Sequence, residues 1–290
     1  MTSRPKNINY FLVDGTPTGR IRCTITNWTG VAYGIPRKQL NDCKERAELS
    51  QSGVYFLIGA SDGENAVYIG QAGIRKNGNG VINRLQEHKK DSEKNYWQEA
   101  DVFTTSNDSF GQTEISYLEN RFTKMVREAG RYLVKNDNEP THGNITEEKE
   151  RKLEEFVDYA KIVMGVLGHK MFEPLLQPDD TIAPTAGRTP SASIPFFIKQ
   201  SDADVEIRQT NEGFVMLKGG RIKKRTNNSC PYNIKIERDN KDNVDAAGIV
   251  QKDILFTSPS AAAAFVLGSS VNGTAVLRTD EGKTFKEIGA

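Results

Sequence analysis

Two tyrosines thirteen positions apart, Tyr55 and Tyr68, lie in the tripeptides Gly53-Val54-Tyr55 and Tyr68-Ile69-Gly70. Downstream come Arg84 and His88, four apart, then Glu119 and, in a polar stretch before Pro140, Asn136. Phenols and an imidazole exchange protons, a guanidinium neutralises anionic oxygen, and a carboxylate can hold a hard cation. Such a set suits reactions in which negative charge builds on oxygen and must be drawn off. Each residue also has a plainer reading. Tyrosines in strands are usually core, Arg84 with His88 fits an exposed pair on a basic helix, and Asn136 or Asn138 fits a polar turn.

Glu119 is the most informative of them. Ile115, Leu118, Phe122, Met125 and Val126 form an apolar stripe on one helix, and at ~100° per residue Glu119 projects from its flank. A carboxylate there needs compensation, from a neighbouring arginine or from a metal ion. Glu114 is the fallback, but it points well away from the stripe. Histidines are few (His88, His142, His169), so a histidine-rich metal site is hard to build and a metal must rely on carboxylate oxygen. Mg²⁺ or Mn²⁺ fits such a donor. Cys23, Cys43 and Cys230 are odd in number and widely spaced, matching neither a disulfide framework nor a paired zinc knuckle, and are read as reduced.

These side chains must be positioned by local structure. Residues 53–59 and 66–71 are predicted strands, joined through Ser61-Asp62-Gly63-Glu64-Asn65 into a hairpin that carries both tyrosines. A helix is expected over about 80–90, with Arg84 and His88 sharing a face beside Val81 and Leu85. A short strand over 102–105 follows, then a helix over 112–129 ending at Gly130, where a left-handed cap is inexpensive. Another amphipathic helix spans about 147–166. The order strand, strand, helix, strand, helix predicts a small α/β layer over 53–172.

Residues 1–52 read as an N-terminal extension packed on that layer, with strands near 11–13, 22–26 and 31–33 and a charged helix over 38–49. Five of the eleven prolines fall in 173–195, which has no apolar periodicity and reads as a linker. Short alternating segments at 196–199, 205–209, 214–217 and 233–237 predict a mostly β domain over 196–290. Its one clear helix is 259–267, with Ser258 as N-cap, Pro259 in the first position and Gly268 at the end. The class is therefore α+β.

A length of 290 residues allows two domains, and no apolar run approaches the ~20 residues of a membrane span, so no membrane partner is expected. The only apolar patch near the start, 10–13, is followed at once by Asp14, and the chain is expected to stay in the cytoplasm. Net charge +1 excludes a uniformly basic nucleic-acid coat. Local patches remain: 75–94 holds six basic against three acidic residues, and 218–225 holds five basic residues in eight. The loop over 73–80 is glycine-rich but matches no nucleotide-binding fingerprint; a small-molecule enzyme using it would be stabilised by nucleotide.

Taken in order, these residues resemble the GIY-YIG nuclease family. Gly53-Val54-Tyr55, Tyr68-Ile69-Gly70, Arg84 with His88, Tyr117-Leu118-Glu119 and Asn136 carry the likeness. It extends through Phe11-Leu12-Val13-Asp14-Gly15, Asn27-Trp28-Thr29-Gly30, and Ser258-Pro259-Ser260-Ala261 with Asn272-Gly273, strings that resemble bacterial members ending in an uncharacterised domain. The resemblance implies a three-stranded antiparallel sheet flanked by helices. It also implies an endonuclease in which Glu119 holds a single Mg²⁺ or Mn²⁺, Arg84 neutralises developing charge, and Tyr55 orients or deprotonates water. Tyr68 and His88 would then bond phosphate or water, and Asn136 would help position the scissile region. The implied partner is nucleic acid, DNA foremost; the two basic patches offer Arg75, Lys76 and Lys89 and, from 218–225 read as a β-ribbon, Arg221, Lys223, Lys224 and Arg225 to grip its phosphates. Two departures stand out: Gln71 replaces a lysine that some members carry there, and Thr274-Ala275-Val276-Leu277 follows Asn272-Gly273 without the usual aromatic residue. An inactive nucleic-acid-binding or interaction module on the same fold is the alternative.

Overall fold

Six consecutive buried residues open β4 (Gly53–Ser61), and a strand apolar on both faces must be covered on both. The computed structural model describes residues 5–61, 63–74, 80–137, 145–176 and 194–289. It divides into two units, Met1–Pro174 and Leu175–Ala290.

In the first unit β4 lies between β5 (Glu64–Ala72) and β6 (Trp97–Thr105). The sheet continues outward through β3 (Gly30–Pro36), β2 (Ile21–Ile25) and β1 (Ile8–Leu12), and on its other edge a two-residue β7 (Leu133–Val134) pairs parallel to β5. The sheet thus has seven strands, not the three expected. The residues taken as an N-terminal extension supply three of those strands, with β3 in register on β6 from Gly30↔Thr105 to Pro36↔Glu99. The charged helix expected over 38–49 is instead two 3₁₀ segments, Arg37–Cys43 and Ala47–Ser50. Leu40 and Cys43, three apart, are the buried residues of the first, which suits a three-residue turn better than an α-helical stripe.

Each face of the sheet has its own core. Tyr55, Leu57, Val102, Tyr33 and Ile35 pack with Val81, Ile82 and Leu85 of α1 (Val81–Lys90). Val54, Phe56, Ile69 and Phe103 pack with α2 (Gln112–Ala129) and α3 (Glu147–Val166). The bounds of α2 match the expected ones, and Gly130 caps it in the left-handed region at φ 67°.

The second unit contains an antiparallel sheet in the order β11-β10-β9-β8, from β8 (Pro195–Gln200), β9 (Ala203–Thr210), β10 (Gly213–Met216) and β11 (Ile254–Phe256). α5 (Pro259–Leu267) has six consecutive buried residues, Ala262 to Leu267, and belongs to the core. Its cap is as read: Ser258 Oγ accepts from Ala261 N at 3.1 Å, and Gly268 turns left-handed. The expectation of a mostly β domain is corrected at 233–237, which forms α4 (Tyr232–Asp239) rather than a strand. Ile234 and Ile236 alternate with polar residues, but Arg238 lies one helical turn past Ile234, and its buried guanidinium donates to the carbonyls of Phe265 and Lys223. Those contacts outweigh the local alternation. A short α6 (Gly273–Val276) follows. Among the described residues no helix is long and apolar enough to cross a membrane.

Candidate active site

The β4–β5 hairpin sets the phenols by register. Tyr55 lies opposite Gly70 and Leu57 opposite Tyr68, so the two tyrosines are diagonal neighbours on one face, ring centroids 6.4 Å apart. Gly70 explains the short motif: a Cβ there would stand 2.3 Å from the phenolic oxygen of Tyr55, so only glycine lets the ring lie across the neighbouring strand. Gly53 has a similar reason, since a Cβ would meet the Phe103 carbonyl at 2.6 Å.

α1 crosses this face. It carries His88 to 2.8 Å from the Tyr55 hydroxyl, through Nε2, with its ring 5.4 Å from that of Tyr68. Arg84, one turn earlier, pairs with Glu87 at 2.8 Å and also acts on both phenols through hydrogen bonding and charge. Lys94 Nζ lies 3.7 Å from the centre of the Tyr68 ring, a cation–π contact that charge counting alone did not reveal.

The electrostatics differ from the expected ones in one respect. Arg84 does favour the phenolate of Tyr55, but burial and the charge of Tyr68 outweigh it, and the phenol titrates well above its ordinary value. Tyr68 is raised too, by burial and then by the charge of Glu119. His88 is pushed down to about 4 by burial, then by Lys94 and Arg84, and is neutral at neutral pH. A neutral imidazole carrying its proton on Nδ1 accepts from Tyr55 at Nε2.

Glu119 enters from α2. Its Oε2 accepts from the Gln71 side-chain amide at 2.9 Å, while Ser116 and Gln112 bond the Gln71 carbonyl oxygen at 3.1 and 2.9 Å. Burial raises the Glu119 carboxyl, against Gln71 and Arg84, which favour its charged form. The residue standing where some GIY-YIG proteins have lysine is thus a neutral partner that orients the carboxylate without cancelling its charge. Gln71, Arg84 and Gln112 line an open cleft of about 360 Å³ with Ala72, Gly73 and Ile74. One half-buried carboxylate whose charge reaches both phenols fits a hard divalent ion, which keeps several waters and takes one or two protein oxygens.

Asn136 is joined to this group through the backbone. Its Oδ1 accepts from Ile69 N at 3.0 Å and its Nδ2 donates to Ile69 O at 2.7 Å, so it pairs with β5 like a strand residue and steadies the peptide between Tyr68 and Gly70. Arg75, Lys76 and Asn138 lie outside the described residues. Lys89 is half-buried in the last turn of α1, where its carbonyl accepts from Arg37 at 3.2 Å. The structure therefore gathers Tyr55, Tyr68, Arg84, His88 and Glu119, with Asn136 behind them. Gln71 and Lys94 are the members that sequence reading did not assign.

A second group escaped the sequence reading altogether. Glu99 and Asp101 of β6 and His169, beyond α3, bring ligand atoms within 4.8 Å of one another. Glu99 and His169 are seventy residues apart, and an acid-x-acid pair on a strand gives no local signal.

The second unit has a sequence relationship of its own. Residues 196–289 match the family described as Domain of unknown function (DUF4357). No curated protein and no solved structure matches the chain. The DUF4357 match covers less than half of the 290 residues and concerns this unit alone. Within the DUF4357 domain, the basic stretch 218–225 is not the β-ribbon expected. Only Arg221 makes bridges, to Asp204 and Ile249. The Lys223 and Arg225 carbonyls face Arg238 and Gly268, and Lys223 Nζ lies 3.4 Å from Asp202. Arg221, Lys224 and Arg225 remain exposed, whereas Lys223 is half-buried.

Proposed function

We propose that residues 53–136 form a divalent-metal-dependent endonuclease site of the GIY-YIG type, hydrolysing phosphodiester bonds, in DNA foremost. The observation that carries this reading is the 2.8 Å contact between the Tyr55 hydroxyl and His88 Nε2, flanked by Arg84 and with Glu119 acting on both phenols. Residues spread over more than sixty positions interact here, in the order the resemblance implies, and Arg84 is the one of them that also lines the cleft. Mg²⁺ or Mn²⁺ held by Glu119 would withdraw charge from the phosphate as it is attacked.

The chain's own residues supply the rest. Tyr55 orients the attacking water and takes its proton while passing the phenolic proton to His88 Nε2. The water oxygen bonds to phosphorus, the ester P–O bond breaks, and the leaving oxygen takes a proton from solvent. Because Tyr55 is a neutral phenol at rest, this relay serves better than a free phenolate. The arriving phosphate brings negative charge that offsets the cationic bias of Lys94 and Arg84 on His88 and so raises its proton affinity. Arg84 neutralises the charge developing on phosphoryl oxygen, and Tyr68 bonds a phosphate oxygen.

Plasmid, branched and single-stranded DNA incubated with the full chain test the reading. At least one should be cut with Mg²⁺ or Mn²⁺ and none with chelator; no cutting of any of the three would overturn it. The amide of Gln71 on Glu119 Oε2 favours a second reading, a nucleic-acid-binding module without turnover. In that case DNA binds, and Mn²⁺ gives no thermal protection that Glu119→Ala removes.

A further inference from the structure

Away from the tyrosines, the face of the sheet lined by Phe56 and Phe103 carries a second polar group. Glu99 and Asp101, two apart on β6, point to that face, where Asp101 pairs in register with Phe56 on one side and Gly34 on the other. Asp101 is fully buried, and among the described residues neither of its carboxylate oxygens has a hydrogen-bond partner. A buried carboxylate without donors must gain a proton or a cation. His169 turns toward it from the segment after α3, fixed by Gly168 in the left-handed region and by its own N–H bond to Met164. Its Nε2 lies 3.3 Å from Glu99 Oε2 and 3.6 Å from Asp101 Oδ2, while Nδ1 lies 3.5 Å from the Tyr132 hydroxyl. Gly34 leaves the oxygens uncrowded: a Cβ there would stand 3.3 Å from Glu99 Oε1 and 3.4 Å from Asp101 Oδ1.

We propose that Glu99, Asp101 and His169 bind one divalent transition-metal ion of the zinc class, which ties β6 to the chain beyond α3. Two carboxylates cancel the dication, and the imidazole favours a transition metal over Mg²⁺ or Ca²⁺. Bonds of 2.0–2.1 Å in a tetrahedron place ligand atoms about 3.3 Å apart, close to the two separations His169 makes. The Tyr132 hydroxyl supplies the outer partner that a metal-bound imidazole uses to fix its tautomer. Three protein ligands leave a fourth position for water. This site does not depend on the nuclease reading, because it shares no residue with it.

The test is Zn²⁺ uptake by the full chain, counted after removal of free metal, in the parent, Asp101→Asn, His169→Gln and Glu119→Gln. The parent and Glu119→Gln should retain one equivalent, and the other two should bind at least tenfold more weakly. Co²⁺ should give visible d–d bands in the parent that both site variants lack. Without metal, Asp101→Asn should melt no lower than the parent, since it removes a fully buried acid that has no hydrogen-bond donor, so loss of uptake there is not loss of fold. Equal uptake by the parent, Asp101→Asn and His169→Gln, or no uptake by the parent, would overturn the proposal.

Discussion

If residues 53–136 form the proposed nuclease site, Tyr55→Phe should lower the rate of phosphodiester cleavage by about 10²- to 10³-fold, the usual size of a general acid–base contribution, while DNA binding should stay within a few fold. The substitution removes one oxygen from a buried ring and leaves the packing against α1 in place. It also leaves His88 Nε2 without the partner it has at 2.8 Å, which costs about 1 kcal/mol and a few degrees in melting temperature. If the two side chains act as one relay, adding His88→Gln to Tyr55→Phe slows the reaction little further. Full additivity of the two losses would show that they act separately.

The same pair has a pH signature. The imidazole of His88 titrates near 4 in the folded chain and near 6.5 when unfolded, so between these values the unfolded state binds more protons. Keeping His88 neutral therefore contributes stability above pH 6.5 that is lost as pH falls toward 4. The urea midpoint of the parent should drop more than that of His88→Gln between pH 7 and pH 5, and kcat/KM for cleavage, which reports the free enzyme, should show no His88 limb near pH 6.5. An equal drop in the two proteins would contradict the burial of a neutral imidazole.

Gly70→Ala should reduce cleavage by a similar 10²- to 10³-fold although it removes no polar group. Its methyl would meet Tyr55 Oη at 2.3 Å and Cζ at 2.5 Å, so the phenol has to shift from the place where its oxygen meets His88 at 2.8 Å. Overpacking of this kind costs about 1–3 kcal/mol, and the chain should still fold. Gly165→Ala is the matched control. Its methyl meets only Glu173 Oε1, at 3.8 Å, within α3, and it should leave cleavage unchanged and raise stability by up to about 1 kcal/mol. Wild-type rates in Gly70→Ala would mean that the position of the phenol does not matter.

The elements that could be read from sequence are those whose signals are local. α2 has an unbroken apolar stripe and a glycine at its end, and α5 has Ser258, Pro259 and Gly268 in capping order. The hairpin carrying Tyr55 and Tyr68 was likewise written in two apolar runs about a polar turn. What failed was long-range. Nothing within 8–36 says that β3 will pair with β6 some seventy positions later, and Arg238 becomes a helix residue through carbonyls far from it in sequence. At the site, Glu119 was legible because a carboxylate on the flank of a stripe demands a partner. The identity of that partner, Gln71, was not, and neither was the bond of Asn136 to Ile69 across 67 positions. Asp101 gave no warning because its neighbours Val102 and Phe103 read simply as strand.

The most direct test of the nuclease account is the cleavage rate of Glu119→Gln beside the parent, on one DNA substrate with saturating Mn²⁺. Gln keeps the shape of the side chain but lacks the charge that would hold the ion, so the rate should fall on the order of 10³-fold or more with the melting temperature nearly unchanged. A variant that cuts as fast as the parent would contradict it.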